Sequence, residues 1–315
     1  MNTNVRQWRP KNSSSKYDFI KVRVHLSNEH YYVLSRFLLS RMLTAARIDY
    51  GHALRIALDL KKRLVEKSQL DVSQQDLQEE LFGLLKQHGY GEAHVQWYKT
   101  LASFYHQRIP LVVFIAGTAS TGKSTVATRL SERLNLSSVL KTDVIYDLMH
   151  TVIDGKAPAS LWSANPAEGQ DFQDVVAREC SLVCRGLDGD LGKSITEGKS
   201  IIIEGSLVDH NLLDHIHDYV KKLSAKQHTV IVAPFLLTLP EEELKRQLLD
   251  GQGENEGATW FERARNLQLN LLHTNNTRKQ SNMPTFYAMP VNMEDIQTTI
   301  DAMQSIVLAQ IAEKT

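Results

Sequence analysis

The sequence predicts an α/β protein: a parallel sheet with helices on both faces, preceded by a small, mainly helical domain. Three observations predict it. First, Gly117-Thr118-Ala119-Ser120-Thr121-Gly122-Lys123-Ser124-Thr125 fits the pattern G-x-x-x-x-G-K-[ST] at every fixed position. Second, continuous apolar runs alternate with segments of helical period from residue 108 to the end, the signature of strands buried on both faces. Third, residues 30–107 carry apolar residues almost wholly at helical spacing.

The glycine pattern stands in the context it requires. The apolar run 111–116 before it reads as a buried strand, and residues 126–134 after it read as a helix. Gly117 and Gly122 let the backbone turn so that its N–H groups converge on phosphate oxygens at a helix N-terminus. Lys123 is expected to reach the β- and γ-phosphates of ATP, and the Ser124 hydroxyl to bind Mg²⁺. The predicted fold is therefore a P-loop NTPase of the nucleoside and small-molecule kinase kind.

Composition sets the frame. The 315 residues suggest about two domains. Residues 1–16 are polar and read as a disordered lead, residues 17–107 as the helical domain and residues 108–315 as the P-loop domain. No run approaches a transmembrane span and residues 1–15 show no signal peptide, so a cytoplasmic protein without membrane association is expected. Cys180 and Cys184 are the only cysteines, four apart in a helical segment, and are expected to be buried, silent thiols. The net charge of zero is split, with 17 Lys/Arg against 10 Asp/Glu in residues 1–108 and 19 against 26 thereafter. The basic surplus lies outside the P-loop domain and lacks interleaved aromatics, which argues against a nucleic-acid substrate. The oligomeric state is left open.

Taken in order, residues 17–25 alternate and predict a strand. Residues 31–46, 49–65, 73–89 and 91–106 predict four helices, the third with Ser73 at its N-cap. In the second domain, strands are predicted at 138–143, 200–205, 229–237 and 285–288, with Pro234 marking a bulge or an early end. Helices are predicted at 144–152, 172–187, 241–250, 259–273 and 294–312. Residues 154–170 read as a long loop and residues 251–257 as a flexible lid-like loop.

Open sheets of this kind bind ligands beyond the carboxyl ends of their strands, and Lys123, Asp143 and Glu204 all lie there. Asp143 could take the proton of an acceptor hydroxyl or help hold Mg²⁺, and could also cap the helix that follows. Glu204, after three isoleucines, could bind Mg²⁺ through water or orient the substrate. An anionic acceptor needs cations, for which Arg178 and the lid arginines Arg246, Arg263 and Arg265 are candidates.

Two resemblances add to this. Residues 110–125, Leu134-Asn-Leu and Val139-Leu-Lys-Thr-Asp143 resemble the archaeal 2-phosphoglycerate kinases and, still more, their plant homologues linked to phytic acid metabolism. Residues 31–43, His106-Gln-Arg-Ile-Pro-Leu111, Arg178-Glu-Cys180 and Ile201-Ile-Ile-Glu-Gly205 fit the plant type. The helical front domain resembles the ATP-cone, a regulatory nucleotide-binding domain, at Leu38-Leu-Ser-Arg41, Ala53-Leu-Arg-Ile-Ala57, residues 77–85 and the Gly89-Tyr-Gly91 turn. These resemblances imply an ATP- and Mg²⁺-dependent kinase phosphorylating a small phosphorylated or carboxylate metabolite, with 2-phosphoglycerate giving 2,3-bisphosphoglycerate as the leading reaction. An inositol or polyol phosphate kinase and a nucleotide-switched regulatory protein are the alternatives. Two departures fall near the acceptor side: the family's His shortly after Glu-Gly is missing or displaced in Ser206-Leu-Val-Asp-His210, and Leu248 and Leu249 stand where another basic residue is expected.

Overall fold

Residues 16–27, 29–156, 158, 160–224, 229–252 and 254–315 are described by the computed structural model. Of the expected disordered lead, residues 1–15 lie outside them. The chain divides into two units, Met1–Leu101 and Ala102–Thr315, with the division inside a helix.

In the first unit a three-stranded sheet accompanies the helices. β1 (Arg23–His25) pairs antiparallel with β2 (Tyr31–Val33) and parallel with β3 (Asp71–Ser73), giving the order β2-β1-β3. The single strand expected over residues 17–25 is thus shorter, with Lys16–Phe19 forming a 3-10 turn. The helix expected from residue 31 starts later. Tyr31, Tyr32 and Val33 are strong strand formers, and α1 (Arg36–Ala45) begins after Ser35, whose hydroxyl accepts the Leu38 N–H. The remaining helices are α2 (Tyr50–Glu66), α3 (Gln74–Gln87) and α4 (Glu92–His106). Ser73 caps α3 by accepting the Asp76 N–H at 3.0 Å. Leu43, Ile56, Leu60, Leu64, Leu77, Leu81, Leu84 and Leu85 are its fully buried core.

The second unit is built on five parallel strands. β4 (Leu111–Ala116) is buried at all six positions, and β6 (Ile201–Gly205) at all five, as the unbroken apolar runs require. With β5 (Val139–Lys141), β7 (Ile231–Thr238) and β8 (Tyr287–Pro290) the order is β5-β6-β4-β7-β8. The chain leaves β4 toward β5 and then works back across the sheet, so right-handed crossovers put helices on both faces. α5 (Lys123–Arg133) and α11 (Ile296–Lys314) pack together on the sheet, while α7 (Phe172–Thr196) packs between α6 (Thr142–Asp154) and α8 (His210–Ser224). Pro234 does not end its strand: it pairs with Phe114 of β4 one residue before pairing with β8 begins, where β7 has a neighbour on one side only.

Two loop expectations are corrected. Residues 251–257 are helical wherever described, because α9 (Glu241–Gln252) runs almost directly into α10 (Glu254–Gln280). Gly257 serves close helix packing there: a Cβ on it would meet the Leu248 carbonyl oxygen and the Leu249 side chain at 3.1 Å. The 154–170 stretch holds a short 3-10 turn, Leu161–Ser163. No helix among the described residues is long and apolar enough to cross a membrane. Both thiols are free, and burial pushes Cys180 well up and Cys184 up to about 11.

Candidate active site

Strand register assembles the site. Ala116 of β4 pairs with Gly205 of β6 and Leu236 of β7, and Glu204 pairs with both Ile115 and Lys141. The residues that follow each strand therefore leave the sheet at one edge, where open parallel sheets bind their ligands. Gly117 turns there at φ +151, and a Cβ on it would lie 2.8 Å from the Leu237 carbonyl oxygen. Gly122, at φ +77, is the N-cap of α5. The loop between them closes on itself, with Thr121 Oγ1 donating to the Thr118 carbonyl at 3.0 Å and Lys123 Nζ donating to the same oxygen. The first amides of α5 have no partner within the helix, so they and the helix dipole favour an anion at this end.

Ser124 Oγ donates to Glu204 Oε1 at 2.7 Å, across eighty residues of sequence. Glu204 is buried, as the third-strand acid expected to face the loop. Burial lowers the Lys123 pKa to about 8, opposed by the carboxylates of Glu204 and Asp143. Both acids thus act on the lysine, and the three residues named from sequence share one site. Asp143 is exposed in the first turn of α6. It is not the helix cap: Lys141 holds that position without a side-chain bond.

The arginines divide. Arg178 on α7 folds onto its neighbour Glu179, with Nε and Nη2 at 3.0 and 2.8 Å from Oε1, and its side chain is 65% exposed. Arg263 donates to the Trp162 carbonyl and lies 4.9 Å from the Phe172 ring centroid, which ties α10 to the 3-10 turn and to the start of α7. Arg246 pairs with Glu243, and Arg265 with Glu241 at 2.9 Å. Arg246 and Arg265 thus already have carboxylate partners on α9, which answer their positive charge within the helix pair.

An AAA domain family matches residues 113–268. The 2-phosphoglycerate kinase of Methanocaldococcus jannaschii is 28% identical over 230 residues, covering 70% of each chain. That of Pyrococcus horikoshii is 26% identical over 180 residues, covering 54% of this chain and 60% of the relative. Among solved structures, a gluconokinase from Sinorhizobium meliloti aligns with 66% of this chain and 99% of its own, at 13% identity and a TM-score of 0.38. The chain is a P-loop phosphotransferase, related to the archaeal 2-phosphoglycerate kinases.

Several parts of this phosphotransferase escaped the sequence reading. Thr142, fully buried, stands between Lys141 and Asp143, and its hydroxyl has no hydrogen-bond partner among the described residues. It presses on Gly205: at φ +153, a Cβ there would sit 1.7 Å from Thr142 Oγ1. Thr142 and Gly205 thus interlock the strand tips that carry Asp143 and Glu204. Met293 and Ile296 cover the loop from the far side of the chain, 3.7 and 3.4 Å from where a Gly122 Cβ would stand. The displaced histidine of the phosphotransferase, His210, is a packing residue. It is buried, bonds Asn275 at 3.3 Å and meets the Phe286 ring edge-on, and burial lowers its pKa.

Proposed function

We propose that the enzyme transfers the γ-phosphoryl group of ATP to 2-phosphoglycerate, giving 2,3-bisphosphoglycerate and ADP. The observation that carries this reading is the Ser124–Glu204 bond beside Lys123 and Asp143, joined to kinship with kinases named for that acceptor. Asp143 takes the proton of the acceptor hydroxyl as its oxygen attacks the γ-phosphorus, and the bridging oxygen leaves with ADP. Lys123, released from the Thr118 carbonyl, neutralises charge on the β- and γ-phosphates. Arg178 meets the acceptor's own phosphate or carboxylate.

A Mg²⁺ ion fits the donor set. The Ser124 hydroxyl and the buried Glu204 carboxylate are hard oxygen donors already within hydrogen-bond distance of one another, and Asp143 offers a third. Among the described residues no three acids, histidines or cysteines gather to hold a metal unaided. That suits an ion that keeps waters and binds phosphate oxygens. When bound, Mg²⁺ supplies charge neutralisation between the phosphates.

The first unit we read as an ATP-cone-like regulatory domain. Its support is the β1–β2 strand pair with the basic residues Arg23 and His25, which departs from that family's usual glycine-containing opening pair in having no glycine. Calorimetry of the full chain with Mg·ATP tests it: two nucleotides per chain are expected, and one makes the domain structural. For the reaction, labelled ATP is offered with 2-phosphoglycerate, other small hydroxy acids and polyol phosphates. Label in a bisphosphoglycerate is the expected outcome. Transfer to an inositol phosphate alone would replace the acceptor, and hydrolysis without any transfer would favour the nucleotide switch.

A further inference from the structure

One face of α6 runs from the strand tip as Asp143, Tyr146, His150 and Asp154, spaced at helical period. α7 packs along α6 and brings Arg178 and Glu179 to it. Glu179 is 3% exposed, and a carboxylate so deeply buried needs cationic partners. It has two. Its Oε1 accepts from Arg178 Nε and Nη2, and its Oε2 accepts from His150 Nε2 at 2.8 Å. The other imidazole nitrogen, Nδ1, meets Asp154 Oδ2 at 2.7 Å. Two carboxylates can accept only if both ring nitrogens carry protons. The hydrogen bond to Asp154, with Glu179 behind it, accordingly raises the His150 pKa against its partial burial. Tyr146 packs edge-on against the His150 ring at 4.7 Å and lies within the field of Arg178.

The Arg178–Glu179 contact is unusual in kind. Adjacent side chains on a helix diverge and do not face each other. Arg178 therefore folds back to reach Glu179, using one edge of the guanidinium and leaving Nη1 with no protein partner among the described residues. A long side chain that is 65% exposed would otherwise sample many rotamers. Fixing it beforehand lowers the ordering cost of binding an anion.

We infer that Glu179, backed by His150 and Asp154, is a positioning residue that holds Arg178 with its free edge available to the phosphate or carboxylate of the acceptor. The inference rests on the assignment of Arg178 to the acceptor side. Residues Asp154, His150 and Glu179 do not touch the reacting atoms; they act through Arg178.

The test uses the full chain with Mg·ATP and 2-phosphoglycerate. Glu179→Gln keeps the shape and removes the charge, and is expected to raise the acceptor KM about tenfold with the ATP KM within about twofold. In an Arg178→Ala background the same substitution should add nothing further to the acceptor KM, because the two residues act as one unit. His150→Gln carries the same expectation in milder form and serves where Glu179→Gln does not fold. Independently of turnover, ¹⁵N-arginine NMR should show slow exchange of the Arg178 Nε–H in the wild type and fast exchange in Glu179→Gln. Equal effects on both substrates, full additivity with Arg178→Ala, or fast Nε–H exchange in the wild type would overturn the positioning role. An Arg178→Ala enzyme with unchanged acceptor KM would instead overturn the acceptor-side assignment itself.

Discussion

The two sides of the phosphotransferase site are made of different material. The proposed nucleotide side is one continuous segment, residues 117–125, in which backbone amides and one lysine would do the binding. The proposed acceptor side is a set of side chains on α6 and α7, in which Arg178 leans on its neighbour Glu179 and Glu179 on His150, twenty-nine residues away. A backbone cradle survives most side-chain changes, whereas a side-chain cluster fails when one member goes. The first side should therefore respond to substitution at few positions and the second at many.

The sharpest way to break the comparison is Lys123→Ala. Loss of the charge facing the transferred group should lower kcat by about 10³, with the fold intact by circular dichroism. A folded variant with full transfer would remove this loop from the chemistry. Next comes Asp143→Asn, expected to lower kcat about 10²-fold with little change in acceptor KM, since it removes the proton acceptor and not a binding charge. Steady-state kinetics at saturating ATP decides it.

Arg178→Ala is expected to raise the acceptor KM about tenfold, or about 1.4 kcal/mol, while the ATP KM hardly moves. The reverse pattern would merge the two sides into one. A smaller effect is pH-dependent. The Lys123 pKa in the folded protein, about 8, lies below the ordinary lysine value of 10.5. The unfolded chain thus holds the extra proton between those pH values, and folding stability gains from this group as pH rises through that window. Nucleotide phosphates favour the charged lysine, so ATP binding should take up a proton above pH 8 and weaken as pH rises through 8. Calorimetry in buffers of different ionisation enthalpy reads the proton directly, and Lys123→Arg should abolish the uptake. The smallest effect is expected of Arg265→Ala, under about twofold in either KM, because that arginine already pairs with Glu241 on a partly exposed face.

The same contrast governs what could be read from the chain itself. The P-loop, β4 and β6 were legible because each is a contiguous signal: fixed glycines, or an apolar run long enough to have only one reading. Asp143 and Glu204 were legible as acids at strand ends, and the structure brings both to Lys123. Short elements were not. β3 spans only Asp71–Ser73, too few residues to show a period, and it forms because β1 offers it an edge. β2 was absorbed into the following helix, although Ser35 already stood as a cap between them. The segment 251–257 misled by composition: its glycines suggest a loop, yet Gly257 is there to let α9 and α10 approach. Arg246 had its partner three residues away in Glu243, a pairing that helical spacing could have revealed. Glu179 and His150, twenty-nine residues apart, meet only once α6 and α7 pack, and no local pattern announces that.

Thr142 and Gly205 give the strand tips a tolerance that neither residue sets alone. Because the threonine hydroxyl occupies the very space a side chain at 205 would take, the two positions are mutually exclusive owners of one small volume. Shrinking residue 142 alone would not free that volume: the Thr142 Cβ stands 2.8 Å away, and the positive φ of residue 205 strains any side chain. Any redesign of these strand tips inherits both constraints at once.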